Sequence, residues 1–301
     1  MIKSVTIVNS LGEILQMDLT QPERSGLIIE SIDGLGPGSA NVNFTNLVGD
    51  GGVFNSSRLD PRSITFNFIF EGNDIELIRH KTYRFFSLKS TVTLMVKTDY
   101  RELMIEGRVS SNDPGIFQER EGTTISIECG FPYFYKIGDG AEINTPFSGA
   151  TPLFEFPFEN LIETREIEFG EINNLIQNTI TYEGDVDIGM IITMHLSNDV
   201  GDITIHKLNT REHLTLENDR IIEAFGFSYQ AGDDIIINTN RGVKTIFLRR
   251  DGQYYNLLPA KTVDSTWLTL SRGDNDIAIV TSHDPQNLVV DIQNRILYEG
   301  I

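Results

Sequence analysis

The chain has 301 residues and a mass of 33.9 kDa, a size that fits one large domain or two ordinary ones. Its 24 Lys and Arg against 43 Asp and Glu give a net charge of -19, which disfavours a basic surface for nucleic acid. Hydrophobic residues make up 40% of the chain, enough for packed cores, and a single cysteine excludes an intrachain disulfide or a cysteine-based zinc site.

The first half of the chain is predicted to be β-structure interrupted by one helix. Alternating apolar residues at 64–70 and 123–129 place one apolar face on each strand. Segment 73–89 lacks Gly and Pro, and Asn73 or Asp74 can cap it, so it predicts a helix packed on a sheet. Further strands are predicted at 27–32, 41–47, 91–97 and 101–109, the last two as a hairpin.

A turn-rich segment at 46–62 departs from this pattern. It contains several glycines, but it also carries the apolar residues Val48, Val53, Phe54 and Leu59. Its 17 residues are long for a simple connection between strands. One interpretation is an ordered surface loop, and the other is an arm whose apolar residues bury against another subunit. The second makes those four residues candidates for a subunit interface.

Residues 137–150 are mostly small or polar, with three glycines and Pro146, and predict a linker between domains 1–136 and 151–301. The charge also shifts here: 1–140 holds 13 basic and 18 acidic residues, and 141–301 holds 11 and 25. The second half has short strands between Gly-Asp turns and no helical period, which indicates a β-sandwich or jelly roll. Its strands are predicted at 179–182, 190–196, 202–206, 212–216, 234–238, 245–249, 276–281 and 288–291.

Catalytic and metal-binding signatures are missing from the sequence. The five histidines form no paired metal motif, there is no GxSxG turn, and many of the carboxylates lie in Gly-Asp turns. Cys129 falls on the apolar face of a strand and is expected to be a core residue. We therefore expect no enzyme, no metal and no cofactor. No apolar run reaches the length of a membrane-spanning helix and the start is too polar for a secretory signal, so no membrane insertion is expected.

One group of residues supports a second hypothesis, a carbohydrate site. His206, Asn209 and Arg211 lie close together on adjoining predicted strands. Trp267 offers an aromatic face, and sugars are held by polar groups beside such a face. The alternative, which we favour, is that the polar residues are simply exposed and that Trp267 packs in the sandwich.

Several short motifs follow one another along nearly the whole chain. They are Ile32-Asp-Gly-Leu-Gly-Pro37, the loop Gly49-Asp-Gly-Gly52, Arg58-x-x-Pro-Arg62 leading into a strand, the aromatic run Phe131-Pro-Tyr-Phe-Tyr135, and the turns Tyr182-Glu-Gly-Asp-Val-Asp-Ile-Gly189, Ala231-Gly-Asp-Asp-Ile-Ile-Ile-Asn238 and Leu270-Ser-Arg-Gly-Asp-Asn-Asp-Ile277. In this order, and in the sizes of the two domains, the sequence resembles the distal tail protein (Dit) family of siphophages.

The resemblance implies a mainly β protein, with an N-terminal, tail-tube-like β-sandwich carrying one α-helix and a C-terminal galectin-like β-sandwich. It implies a structural virion protein, assembled in the bacterial cytoplasm, that forms a hexameric baseplate hub ring at the distal end of a phage tail. The implied partners are further copies of the chain, the tail tube protein, and a tail-associated or receptor-binding protein of the tail tip. DNA would pass through the channel without specific binding.

The alternative function is a carbohydrate-binding module that contacts the host surface. The galectin sugar site combines an Asn-Pro-Arg run with a Trp that is followed by Glu and Arg. This chain has Asn209-Thr-Arg211 and Trp267-Leu-Thr-Leu270, so the acidic partner and the second arginine are missing. A galectin-like fold therefore does not by itself imply sugar binding.

Overall fold

The computed structural model describes residues 1–21, 25–116, 119–148, 150–152, 170–172 and 176–301. The chain forms two compact units, Met1–Ala141 together with Leu297–Ile301, and Glu142–Ile296. The last residues thus belong to the first unit, an arrangement that no local sequence pattern indicated. The mainly β class is confirmed, and so is the single helix predicted within the first unit.

The first unit is built on a sheet with the strand order β2-β1-β7-β8-β9-β6-β3. Its strands before the linker are β1 (Ile2–Asn9), β2 (Ile14–Asp18), β3 (Leu27–Asp33), β4 (Ala40–Asn46), β5 (Gly52–Leu59), β6 (Arg62–Phe70), β7 (Thr91–Thr98), β8 (Glu102–Pro114), β9 (Gly122–Cys129) and β10 (Phe134–Lys136). Neighbours pair antiparallel, and Ile64 of β6 lies opposite Ile127 of β9, so the two alternating segments of the sequence share one buried face.

The predicted helix is α1 (Ile75–Phe85), which connects β6 to β7. Asp74 caps it, because its carboxylate accepts a hydrogen bond from the Leu77 amide at 2.9 Å. Phe85 and the adjacent Phe86 are buried, with ring centroids 5.0 Å apart, and Phe86 lies 6.3 Å from Phe68 of the sheet. The helix therefore contributes its last turn to the core beneath β6.

A buried arginine, Arg62, ties together three segments that are distant in sequence. Its guanidinium donates to the carbonyl oxygens of Pro132 and Gly34 at 2.7 Å each, of Glu299 at 2.5 Å, and of Gly36. Four carbonyl acceptors satisfy this side chain without a carboxylate partner. The contact to Glu299 helps to hold the end of the chain in the first unit.

The second unit contains two antiparallel sheets, each with one buried apolar face, as in a β-sandwich. The front sheet has the order β11-β22-β15-β18-β19-β20, and the back sheet has the order β14-β21-β16-β17. The strands of the front sheet are β11 (Glu142–Ser148), β15 (Ile191–Leu196), β18 (Asp234–Asn238), β19 (Thr245–Arg250), β20 (Gln253–Asn256) and β22 (Leu288–Arg295), and those of the back sheet are β14 (Ile176–Tyr182), β16 (Ile203–Lys207), β17 (Glu212–Leu216) and β21 (Gly273–Thr281). The unit also has a short strand pair, β12 (Ala150–Pro152) and β13 (Gly170–Ile172), and a helix, α2 (Asn218–Phe225). The final strand, β23 (Leu297–Tyr298), belongs to the first unit.

The structure differs from the sequence predictions at three places. Part of the predicted linker is the strand β11, which lies at the edge of the front sheet, where Pro146 can be accommodated although it has no N–H to donate. Helix α2 was not predicted, and it ends where Gly226 adopts a left-handed φ of 76°. Most of the segment predicted as a loop or arm at 46–62 is strand, because β5 pairs with β4.

Candidate functional site: an exposed β-ribbon

Strands β4 and β5 form a two-stranded ribbon that pairs with no other strand in the described part of the chain. Pairing runs from Ala40 opposite Leu59 to Asn46 opposite Gly52. Every residue of the two strands except Leu59 is exposed to solvent. An isolated two-stranded ribbon is marginally stable in water, so a ribbon of this kind usually gains its stability by packing on another surface.

The two faces of the ribbon differ in chemistry. On one face Phe44 lies opposite Phe54, with ring centroids 6.1 Å apart at an interplanar angle of 71°. The polar side chains make their own links, with Asn55 Nδ2 donating to Thr45 Oγ1 at 2.7 Å. The phenylalanines are 59% and 57% exposed. The ribbon thus presents an aromatic pair to solvent.

The predicted interface residues lie on this ribbon and at its tip. Val48, Val53 and Phe54 are exposed, and Leu59 is half-buried at the base. The sequence interpretation missed Phe44, because 41–47 was predicted only as a further strand and not as part of the interface. Its position opposite Phe54 depends on the pairing register, which includes an irregularity after Asn43. Whether these residues contact another subunit stays a prediction.

The ribbon is also electrically neutral. Residues 40–59 contain one acidic residue, Asp50, and one basic residue, Arg58, within a chain of net charge -19. Arg58 forms an ion pair with Asp60 at 3.6 Å. Copies of a chain that carry the same net charge repel one another. A neutral apolar element is therefore the surface through which two copies can make contact with the smallest electrostatic repulsion.

The four residues of the predicted carbohydrate site do not form one contact group. His206 lies opposite His213, with ring centroids 6.1 Å apart. Asn209 accepts the Asp276 amide at 2.6 Å and so fastens the β16–β17 turn to β21. The other two are Arg211, which is exposed in that turn at a φ of 59°, and Trp267, which lies 5.6 Å from the Lys244 ammonium. Among the described residues, no hydrogen bond or ring contact joins these four side chains, and sugar binding by them stays a prediction.

Other chemistry is sparse in the described residues. No group of three or more His, Cys, Asp or Glu side chains there could hold a metal ion. Cys129 is buried in β9, and burial, opposed by the nearby Arg62 charge, raises the pKa of its thiol to about 11. The thiol is therefore protonated near neutral pH and is a poor nucleophile. No helix in the described segments is long and apolar enough to cross a membrane.

Comparison with known proteins reveals similarity at the level of structure. The sequence matches no family model, and no curated protein matches it significantly. The crystal structure of the Dit protein of phage SPP1, described as a paradigm of the hub adsorption apparatus in phages that infect Gram-positive bacteria, aligns with a TM-score of 0.63 at 13% identity. The alignment covers 97% of this chain and 99% of that one.

Two structures of the phage P2 baseplate in its activated conformation, with Ca and with Sr, align over the same length. The first gives a TM-score of 0.42 at 15% identity and covers 98% of this chain and 99% of that chain. The second gives a TM-score of 0.41 at 14% identity and covers 97% of this chain and 98% of that chain. Both scores are too low to establish a common fold. The alignment with SPP1 Dit shows that the two chains share a fold along their full lengths.

Proposed function

We propose that this protein is a structural hub protein at the distal end of a phage tail. The observation that carries the proposal is the shared fold with SPP1 Dit, which extends over both units of the chain. A resemblance of motif order in the sequence leads to the same family. At 13% identity the likeness concerns the fold, so the hub role rests on additional features of this chain.

The ribbon supplies one such feature, because a ring needs a surface on each copy that packs on the next copy. A contact between unlike surfaces of successive copies closes into a ring when the rotation between them is a simple fraction of a turn. We propose that the aromatic face of the ribbon packs on a neighbouring copy and that six copies close the ring. On the aromatic face, the interface residues would be Phe44 and Val42 together with the predicted Phe54 and Leu59. The predicted Val48 lies at the tip of the ribbon. The predicted Val53 follows Thr45 across the ribbon and lies on the opposite face, so it would join the interface only if the neighbouring copy also covers that face.

The rest of the proposed role concerns the ends of the ring. One face binds the tail tube protein, and the other binds the tail-associated or receptor-binding protein of the tip. The protein acts by joining these parts and performs no catalysis. It assembles in the bacterial cytoplasm and remains in the virion, with DNA passing through the central channel.

Native mass spectrometry of the full chain tests the ring directly. We expect a particle of about six times the chain mass of 33.9 kDa, visible as a ring by negative-stain electron microscopy. A chain that stays monomeric at high protein concentration, both alone and with the tail tube protein of the same phage, would refute the proposed ring. An open filament instead of a closed particle would show that successive copies associate without ring closure.

A further inference from the structure

A row of polar side chains crosses the outward face of the front sheet. Pairing places His195 of β15 opposite Asp234 of β18, Asp234 opposite Arg249 of β19, and Arg249 opposite Tyr254 of β20. Residues directly opposite one another on neighbouring strands point to the same side of a sheet. The opposite face of the same strands, with Ile235 and its neighbours, is buried. This polar row therefore faces solvent in the isolated chain.

The carboxylate of Asp234 bonds to the residues on both sides of it in the row. His195 Nδ1 bonds to one of its oxygens, and the Arg249 guanidinium donates to the other, with Nε at 3.0 Å. Burial opposes ionisation, but the bonds from Arg249 and His195 outweigh it and hold the pKa of Asp234 below its usual range. The Asp234 side chain is only 14% exposed. Its bonds therefore fix the orientation of the more exposed Arg249 guanidinium and His195 ring.

Hydrogen-bonding capacity remains on the outer side of the row. Arg249 bonds to Asp234 through Nε and Nη2, and a side-chain hydrogen bond with the neighbouring Tyr254 also stabilises its charge. A guanidinium carries five N–H donors, so these bonds leave donors for a ligand. His195 Nε2 lies 3.7 Å from Asp291 Oδ2, beyond hydrogen-bond distance. The row thus offers a fixed donor at Arg249, a ring nitrogen at His195 and a carboxylate acceptor at Asp291. Polar groups that are already held in position lose little side-chain conformational entropy when they bind a ligand.

An aromatic surface adjoins these polar groups. Tyr254 is 61% exposed and lies next to Arg249 on β20. Its ring is nearly perpendicular to that of Phe247, at 88° with centroids 6.4 Å apart, and this contact limits the orientations open to the tyrosine. Pockets for small molecules commonly combine aromatic walls with a few placed polar groups, and this face has both.

Charge narrows the class of ligand. Within the group, Arg249 is opposed by two carboxylates, Asp234 and Asp291, and residues 141–301 hold 25 acidic against 11 basic residues. Such surroundings repel phosphates and other anions. A neutral pyranose carries hydroxyls that both donate and accept hydrogen bonds, and its C–H face can pack on an aromatic ring. We propose that His195, Arg249, Asp291 and Tyr254 form a binding site for a neutral pyranose sugar on the front sheet. This site is independent of the proposed hub function.

Calorimetric titration of the full chain with methyl β-D-galactopyranoside and methyl α-D-glucopyranoside tests the site, with inorganic phosphate as an anionic probe. We expect at least one pyranoside to bind and Arg249→Ala to weaken that binding by about tenfold or more, because a charged hydrogen bond is lost. Tyr254→Ala should weaken it severalfold. Tyr254 is largely exposed, so Tyr254→Ala should keep the melting temperature of the unmodified protein. Arg249→Ala removes two bonds from the mostly buried Asp234 carboxylate and should lower the melting temperature, so its titration is run well below its own unfolding transition.

Arg211→Ala and Trp267→Ala are the matched controls, since they alter an arginine and an aromatic residue outside the front sheet. They should leave binding unchanged. The inference is overturned if neither pyranoside binds, if Arg249→Ala and Tyr254→Ala bind as well as the unmodified chain, or if phosphate displaces the sugar. Loss of binding in the two control variants alone would assign the sugar to the residues around Arg211 instead.

Discussion

Replacing both ribbon phenylalanines by serine should prevent ring assembly while leaving the fold intact. Phe44 and Phe54 contact each other, but they lie outside the buried core of the first unit. Phe44→Ser together with Phe54→Ser therefore removes little from the isolated chain. The same change removes the aromatic pair that the neighbouring copy would cover in the proposed ring.

The size of the effect follows from the exposed fractions. Full burial of a Phe side chain contributes about 1.5–3 kcal/mol. Because the two residues are 59% and 57% exposed, slightly more than half of that gain remains for the interface. The pair should then contribute roughly 2–3.5 kcal/mol to each contact between copies, and its loss should weaken each contact about 30- to 300-fold.

Sedimentation velocity over a concentration series measures this change, and thermal unfolding checks the fold. We expect the double variant to sediment as a monomer where the unmodified chain forms rings, with a melting temperature within a few degrees. Val263→Ser, which alters an exposed apolar residue of the second unit, is the matched control and should still form rings. Rings of unchanged stability in the double variant would refute the role of the ribbon.

Three further outcomes are expected. Arg62→Met should lower the free energy of unfolding by about 3–5 kcal/mol in urea titrations, because it leaves four carbonyl oxygens without their donor, whereas Arg58→Met on the surface should change it by less than about 0.5 kcal/mol. Cys129, buried and with its pKa raised to about 11, should resist a maleimide reagent at neutral pH until urea unfolds the chain; rapid native labelling would contradict its burial. A fragment spanning 142–296 should unfold cooperatively, and a fragment spanning 151–301 should be less stable because it lacks β11; equal stability would argue for the boundary predicted from sequence.

The parts of the fold that could be predicted are those encoded by local patterns. The strands around 64–70 and 123–129 alternate in hydrophobicity because one face of each is buried, and that alternation is visible in the sequence. Helix α1 is also local, since Asp74 caps it and no Gly or Pro interrupts it. For the same reason the Gly-Asp turns gave the approximate spacing of strands in the second unit.

The parts that could not be predicted depend on pairing between distant residues. Strand β5 is exposed on both faces, so it has no alternating burial to reveal it. Strand β23 has two residues, and its place in the first unit depends on partners such as Arg62, which lies 237 positions before Glu299. The polar row of the front sheet also arises from register, because His195, Asp234 and Arg249 meet only when three strands align.

The acidity of the chain bears on the passage of DNA that the proposed hub role would require. A channel that held many unpaired cations would bind phosphates and slow the DNA, in a salt-dependent manner. Two arginines of α1 are already engaged, since Arg79 lies 3.1 Å from Glu121 and Arg84 lies 2.8 Å from Glu13. The helix is therefore a weaker phosphate-binding surface than its basic residues suggest. We expect a short labelled DNA duplex to show no change in fluorescence anisotropy with the full chain at about 0.15 M salt. Tight binding that weakens as salt rises would mean that unpaired cations cluster on one surface, which would contradict a neutral or acidic channel wall.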